Sequence, residues 1–116
     1  MSEASVENLP LDVEGATDTV DTALDMKLNA VTRQDIDTRT GALLGFMREL
    51  LTVDLGWEQR SEVMALYRTC YHLLDLKRRP SSETPAYESF EFMREAALRT
   101  QALLALYVAK IGVSAS

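Results

Sequence analysis

The sequence predicts an all-α protein, a small antiparallel bundle of three long helices preceded by a shorter N-terminal one. Three observations support this. Apolar residues recur at three- and four-residue steps over most of the chain. Only three prolines and five glycines interrupt 116 residues, too few for the turns of a sheet protein. Several of these breakers also stand where a helix would stop, as Gly56, Pro80 and Gly112 do.

The first sixteen residues read as an acidic, disordered arm, because they lack periodicity and contain Pro10 and Gly15. A bundle domain is expected over 17–112, with a short tail over 113–116. Its first helix opens near Thr17, where Asp18 and Asp21 suit the positive end of the helix dipole. Val20, Leu24, Leu28 and Val31 follow at helical spacing. A second helix starts at Thr32, since Thr32 and Asp35 have the spacing of a capping box. Ile36, Thr40, Leu43, Met47, Leu50 and Leu51 form its apolar stripe, which closes near Leu55 and Gly56. Gly41 and Gly45 lie inside this helix, four residues apart, a spacing that admits close approach by a neighbouring helix.

The third helix is expected over 57–79, with Val63, Tyr67, Cys70 and Leu74 in line. Met64, Leu66, Tyr71 and Leu73 broaden that face, which assigns the helix a central place in the bundle. A last helix begins with Thr84 as N-cap and Pro85 at the first helical position. Its core stripe reads Ala86, Phe90, Met93, Ala97, Gln101, Leu104, Val108 and Ile111, with Gly112 as C-cap.

Charge is unevenly placed. Residues 1–25 hold seven acids and no base, a charge of −7, whereas eleven acids and twelve bases leave the remainder at +1. A net charge of −6 repels nucleic acid at long range. Lys77, Arg78 and Arg79 form the one basic patch that would meet phosphate. A small DNA-associated regulator using that patch is the alternative functional expectation. The uncharged run over 100–109 is about half of the roughly 20 residues that a membrane helix needs, so no membrane is expected. A single cysteine and no basic-then-apolar leader suggest a reducing, cytoplasmic setting.

Catalytic chemistry has few candidates. His72 is the only imidazole, which removes multi-histidine metal sites and most triads. Cys70 lies two residues away, so on a helix the two point in different directions. His72 and Asp75 have the reverse order of the Glu-x-x-His di-iron motif, and the pattern occurs once. Glu58, Glu62, Glu88, Glu91 and Glu95 belong to solvated faces. No glycine-rich loop precedes a helix in a phosphate-cradling pattern. No catalytic residue, metal, cofactor or small-molecule ligand is therefore expected.

The last helix carries Phe92, Leu103 and Leu106 outside its main stripe. These three are the expected contact surface for a protein partner or a second copy. The sequence thus predicts a non-enzymatic interaction or regulatory module.

The run from Gly41 through Ala-Leu-Leu-Gly-Phe-Met-Arg-Glu-Leu to Leu51 resembles a family of small, uncharacterised helical proteins of actinobacteria. Arg68, and Met93-Arg-Glu-Ala-Ala-Leu-Arg99 leading to Leu103 and Leu104, share in that likeness. The resemblance covers about 20–110. It implies a helical fold and no activity or site.

Overall fold

In the computed structural model, residues 11–56 and 60–115 are described, the last four of them as backbone. They form four α-helices and no strand: α1 (Val13–Asp25), α2 (Arg33–Leu51), α3 (Ser61–Leu74) and α4 (Ala86–Ala115). Single 3₁₀ turns, Leu28–Ala30 and Leu76–Arg78, follow α1 and α3.

α1 starts four residues before the expected Thr17, inside the segment expected to be a disordered arm. Asp12 is the reason, since its carboxylate accepts from the Gly15 N–H at 2.9 Å and caps the first turn. The cap lies so close that a Cβ on Gly15 would stand 2.2 Å from Asp12 Oδ2. Ala16 is wholly buried, so the early start also adds core. The rest of the expected arm, residues 1–10, lies outside the described residues.

α1 also ends sooner than Val31. Arg94 of α4 donates to the Leu24 carbonyl at 3.2 Å, and Met26 is extended. Leu28, an expected stripe member, is consequently 37% exposed.

α2 opens as expected. Thr32 Oγ1 accepts from Asp35 N–H and Asp35 Oδ2 from Thr32 N–H, both at 3.0 Å. Those bonds hold the Asp35 carboxyl below its usual range, the backbone N–H of Thr32 contributing most. All six expected stripe residues are buried, joined by Leu44. The helix stops at Leu51 rather than Leu55. Tyr67 of α3 fastens the chain beyond it, donating to Val53 O at 2.6 Å and accepting from Leu55 N–H at 3.3 Å. Gly56 then turns with φ 90°, a left-handed conformation that favours glycine.

The expectation for Gly41 and Gly45 fails. A Cβ at either position would meet nothing within 4 Å, so no neighbouring helix in this chain uses the gap. They lie on the outer side of α2.

Three contacts fix the direction of α2 against α4. Arg33 Nη1 and Nη2 donate to Thr84 O and Ser81 O at 2.6 and 2.5 Å. Thr100 Oγ1 donates to Leu43 O at 3.4 Å. Lys110 Nζ donates to Asp54 O. Partners thus advance together, and α2 and α4 are parallel. Arg94 to Leu24 and Leu11 N–H to Tyr107 OH run oppositely, so α1 is antiparallel to α4. Sequential helices alternate in direction, as expected for an up-down bundle.

α4 is the central helix, a correction to the role expected of α3. It packs most extensively on α2 and next on α1, whereas α3 touches α2 and α4 lightly. The third helix is shorter than its apolar face suggested. It ends at Leu74, and the chain turns through extended Asp75, whose carboxylate accepts from Lys77 N–H. Trp57, its expected first residue, lies outside the described residues. The 30 residues of α4 span about 45 Å at 1.5 Å per residue. That matches the longest dimension of the 45 × 34 × 24 Å molecule.

Three helices surround α4, so its buried arc differs from the expected stripe. Ser89, Phe90, Met93, Ala96, Ala97, Thr100, Leu103, Leu104 and Tyr107 are buried. Ala86, Gln101, Val108 and Ile111 are exposed instead. At 3.6 residues per turn, Gln101 and Val108 rotate away from the face shared with α2. Thr84 does not cap α4. Its hydroxyl accepts from Ser81 N–H, while Ser89 N–H bonds Pro85 O. Gly112 likewise does not end the helix, which runs to Ala115.

Two stability outcomes follow. Gly41→Ala and Gly45→Ala should each stabilise the fold by about 0.5–1 kcal/mol, because helix propensity improves and no contact is disturbed. A thermal melt followed by circular dichroism should show Tm rising by about 2–8 °C per substitution. Tyr67→Phe should cost about 1–3 kcal/mol by leaving Val53 O and Leu55 N–H without the phenol. In urea, the midpoint should fall with the slope m unchanged.

Candidate functional site

Chemistry at Cys70 and His72 does not assemble. Cys70 is wholly buried in the core, and burial pushes its thiol up from an ordinary 9.0 to about 11. His72 is exposed in the last turn of α3, on another side of the same helix. Among the described residues no three His, Cys, Asp or Glu side chains are grouped to hold a metal ion. The carboxylates of α3 and α4 behave as solvated faces. Glu62 bonds Arg60 at 3.2 Å and Glu95 bonds Arg99 at 2.7 Å, while Glu88 and Glu91 are exposed. Glu58 lies outside the described residues. Such surface pairs contribute little to stability.

The basic patch lies on the 3₁₀ turn after α3. Lys77 and Arg78 are exposed and Arg79 is half-buried. None of the three has an ion-pair partner among the described residues. The turn presents them at the end of the bundle that also holds the start of α2, since Arg33 grips the adjoining loop at Ser81 and Thr84.

The three residues expected at an interface are split by the fold. Leu103 is 0% exposed within the chain, so it is core and not available to a partner. Phe92 and Leu106 are half-buried and pack onto the core, Leu106 beside Val63 and Leu66 of α3. Leu103 was misplaced because the number of helices around α4 is not readable from periodicity.

What α4 does leave open is its outer face. Leu98 is 45% exposed and Val108 44%, with Ala105 and Ala109 exposed and Ala102 half-buried between them. No charge interrupts this face between Arg99 and Lys110. A shallow groove runs along each flank. One of about 360 Å³ lies against α3, lined by Val63, Leu66, Ala102, Ala105 and Leu106, with Arg60 and Glu62 at its rim. The other, about 440 Å³, lies against α1 between Thr17 and the run from Gln101 to Ala109. Sequence reading missed Leu98, Ala102, Ala105 and Ala109. For Ala102, Ala105 and Ala109 the signal was the uncharged run over 100–109, read only against the length of a membrane helix.

A third groove, about 420 Å³, separates the end of α2 from α3 and is lined by Leu51, Met64, Tyr67, Arg68 and Tyr71. Burial raises the Tyr67 phenol above its ordinary range, consistent with its protonated, donating role toward Val53 O.

No helix among the described residues is long and apolar enough to cross a membrane. No family model, curated protein or solved structure matches the chain.

The state of Cys70 can be read directly. At pH 8 a thiol-specific disulfide reagent should leave the native protein almost unmodified and react at once in denaturant. The folded thiol ionises later than the unfolded one. Stability attributable to Cys70 is therefore intact below pH 9 and declines as pH rises toward 11. Cys70→Ala should lack that part of the alkaline decline in urea titrations.

Proposed function

We propose that this protein is a non-enzymatic interaction module that presents the outer face of α4 to another protein chain. The observation that carries this reading is the uncharged, largely apolar face of Leu98, Ala102, Ala105, Val108 and Ala109, on which Gln101 is the polar residue, with a groove on each side. A helix laid along it would find small side chains at the crossing, permitting close approach, and apolar walls on both flanks. A scattered exposed leucine needs no explanation on a soluble surface. Five neighbouring uncharged positions on the longest helix form a contiguous patch, which favours a partner.

The partner is another protein or a second copy of this chain. Either would be met by the same helix-in-groove geometry. The family resemblance noted for 20–110 stays a proposal beside this one and adds no activity to it.

Native affinity purification from the source cell, with mass spectrometry and absorbance at nucleic-acid and protein wavelengths, tests the reading. It is paired with light scattering of the purified chain at rising concentration. Leu98→Glu and Ala105→Glu place a charge on exposed positions and should leave the thermal melt nearly unchanged. The expected result is a stoichiometric protein partner, or a concentration-dependent dimer, that wild type shows and both variants lose. A monomer at all concentrations with no such partner overturns the proposal. Salt-sensitive nucleic acid in the eluate, abolished by charge reversal at Lys77, Arg78 and Arg79, would replace it with the DNA-associated alternative.

A further inference from the structure

The groove between α2 and α3 differs in kind from the face of α4, because a cation stands in it. Leu51, at the end of α2, is 8% exposed and forms an apolar side. Met64, Arg68 and Tyr71 follow at four- and three-residue steps along α3 and make the opposing wall. The Tyr67 hydroxyl is committed to Val53 O and Leu55 N–H. Tyr71 is 58% exposed and its hydroxyl is at the surface.

Arg68 is exposed and has no ion-pair partner among the described residues. Several other cations of the body are engaged: Arg33 with Asp37 and two carbonyls, Arg60 with Glu62, Arg94 with Leu24 O, Arg99 with Glu95, and Lys110 with Asp54 O. Arg48, one turn before Leu51 on α2, is also exposed and without an ion-pair partner among the described residues. The groove therefore combines an apolar lining with positive charge that the described residues leave uncompensated. Asp54, whose charge acts on the Tyr67 phenol, accepts from the Gly56 N–H.

We propose that this groove binds a small amphipathic organic acid, its hydrocarbon body lying on Leu51 and Met64 and its carboxylate on the Arg68 guanidinium. The volume, about 420 Å³, is within the roughly 300–1,000 Å³ typical of small-ligand sites. A planar guanidinium meets a carboxylate with two parallel N–H···O bonds, which gives orientation as well as attraction. The Tyr71 hydroxyl stands one turn from Arg68 as a second donor. Because the groove is open along one side, affinity rests on both halves of the ligand together, and an uncharged or a purely ionic analogue loses half of the contact. This site is separate from the face of α4 and stands or falls independently of it.

The probe is octanoate, titrated into the ¹⁵N-labelled full chain and followed by amide chemical shifts, with octan-1-ol and acetate as controls. The expected result is saturable shifts clustered around Leu51, Met64, Tyr67, Arg68 and Tyr71. Octan-1-ol and acetate should bind at least about tenfold more weakly, as should Arg68→Gln, the loss of one charged hydrogen-bonding group being worth a factor of that order. Arg68→Lys, which keeps charge without the fork, should fall between. Met64→Glu supplies a second test, since a carboxylate in the wall should repel the probe while the spectrum keeps its native dispersion. Absence of saturable shifts, equal binding of octanoate and octan-1-ol, or unchanged affinity in Arg68→Gln and Met64→Glu would overturn the proposal.

Discussion

The parallel contact between α2 and α4 is the constraint on which the rest of this molecule depends. On α2 the contact is made of large aliphatic side chains, Ile36, Leu43, Met47 and Leu50, all at most 1% exposed. The buried surface of α4 includes small side chains, Ser89, Ala96, Ala97 and Thr100, all fully buried. Large against small lets the two helices approach closely, and Thr100 Oγ1 bridges the gap to Leu43 O. Removing one such large side chain typically costs about 2–5 kcal/mol. That is a substantial share of the roughly 5–15 kcal/mol that holds a domain of this size folded.

Once this pair is set, α1 and α3 have different fates. α1 contributes Ala16, Val20 and Ala23 to the same core and is held at both ends, by Arg94 at Leu24 and by Tyr107 at Leu11. α3 lies over the pair with Val63, Tyr67, Cys70 and Leu73 and touches it less. Its hold comes partly from Tyr67, which grips the loop after α2. A helix seated this way leaves a groove on each flank, one toward α2 and one toward α4. Both surfaces assigned a binding role here are consequences of that light seating and of the extra length of α4.

Electrostatics sorts these surfaces. The acids of the N-terminal quarter put α1 on the negative side of the molecule, while the α2–α3 groove carries Arg68. The outer face of α4 carries no charge between Arg99 and Lys110. A neutral apolar helix face suits a protein chain. A cation beside an apolar wall suits a ligand with an acid at one end. Neither arrangement places a nucleophile beside a base, and the one thiol is buried with its ionisation suppressed.

Much of the fold was legible in the sequence. The all-α class, the four helices, the Thr32–Asp35 cap and every stripe residue of α2 follow from periodicity and local hydrogen bonding, which involve residues three or four apart. Helix ends were less legible, because they are fixed across the chain: Arg94 stops α1, Tyr67 fastens the segment after α2, and Arg33 holds the loop before α4. The Asp12 cap is local, and a closer reading of Asp12 and Gly15 would have found it. The surface of α4 was the hardest part. Periodicity reports that a helix has an apolar arc but not how many neighbours cover it, so Leu103 looked spare and Val108 looked buried. The sequence by itself determined which segments are helical and which residues are apolar enough to be covered. Only the tertiary structure decided which of them are covered, because burial depends on how many helices surround each one.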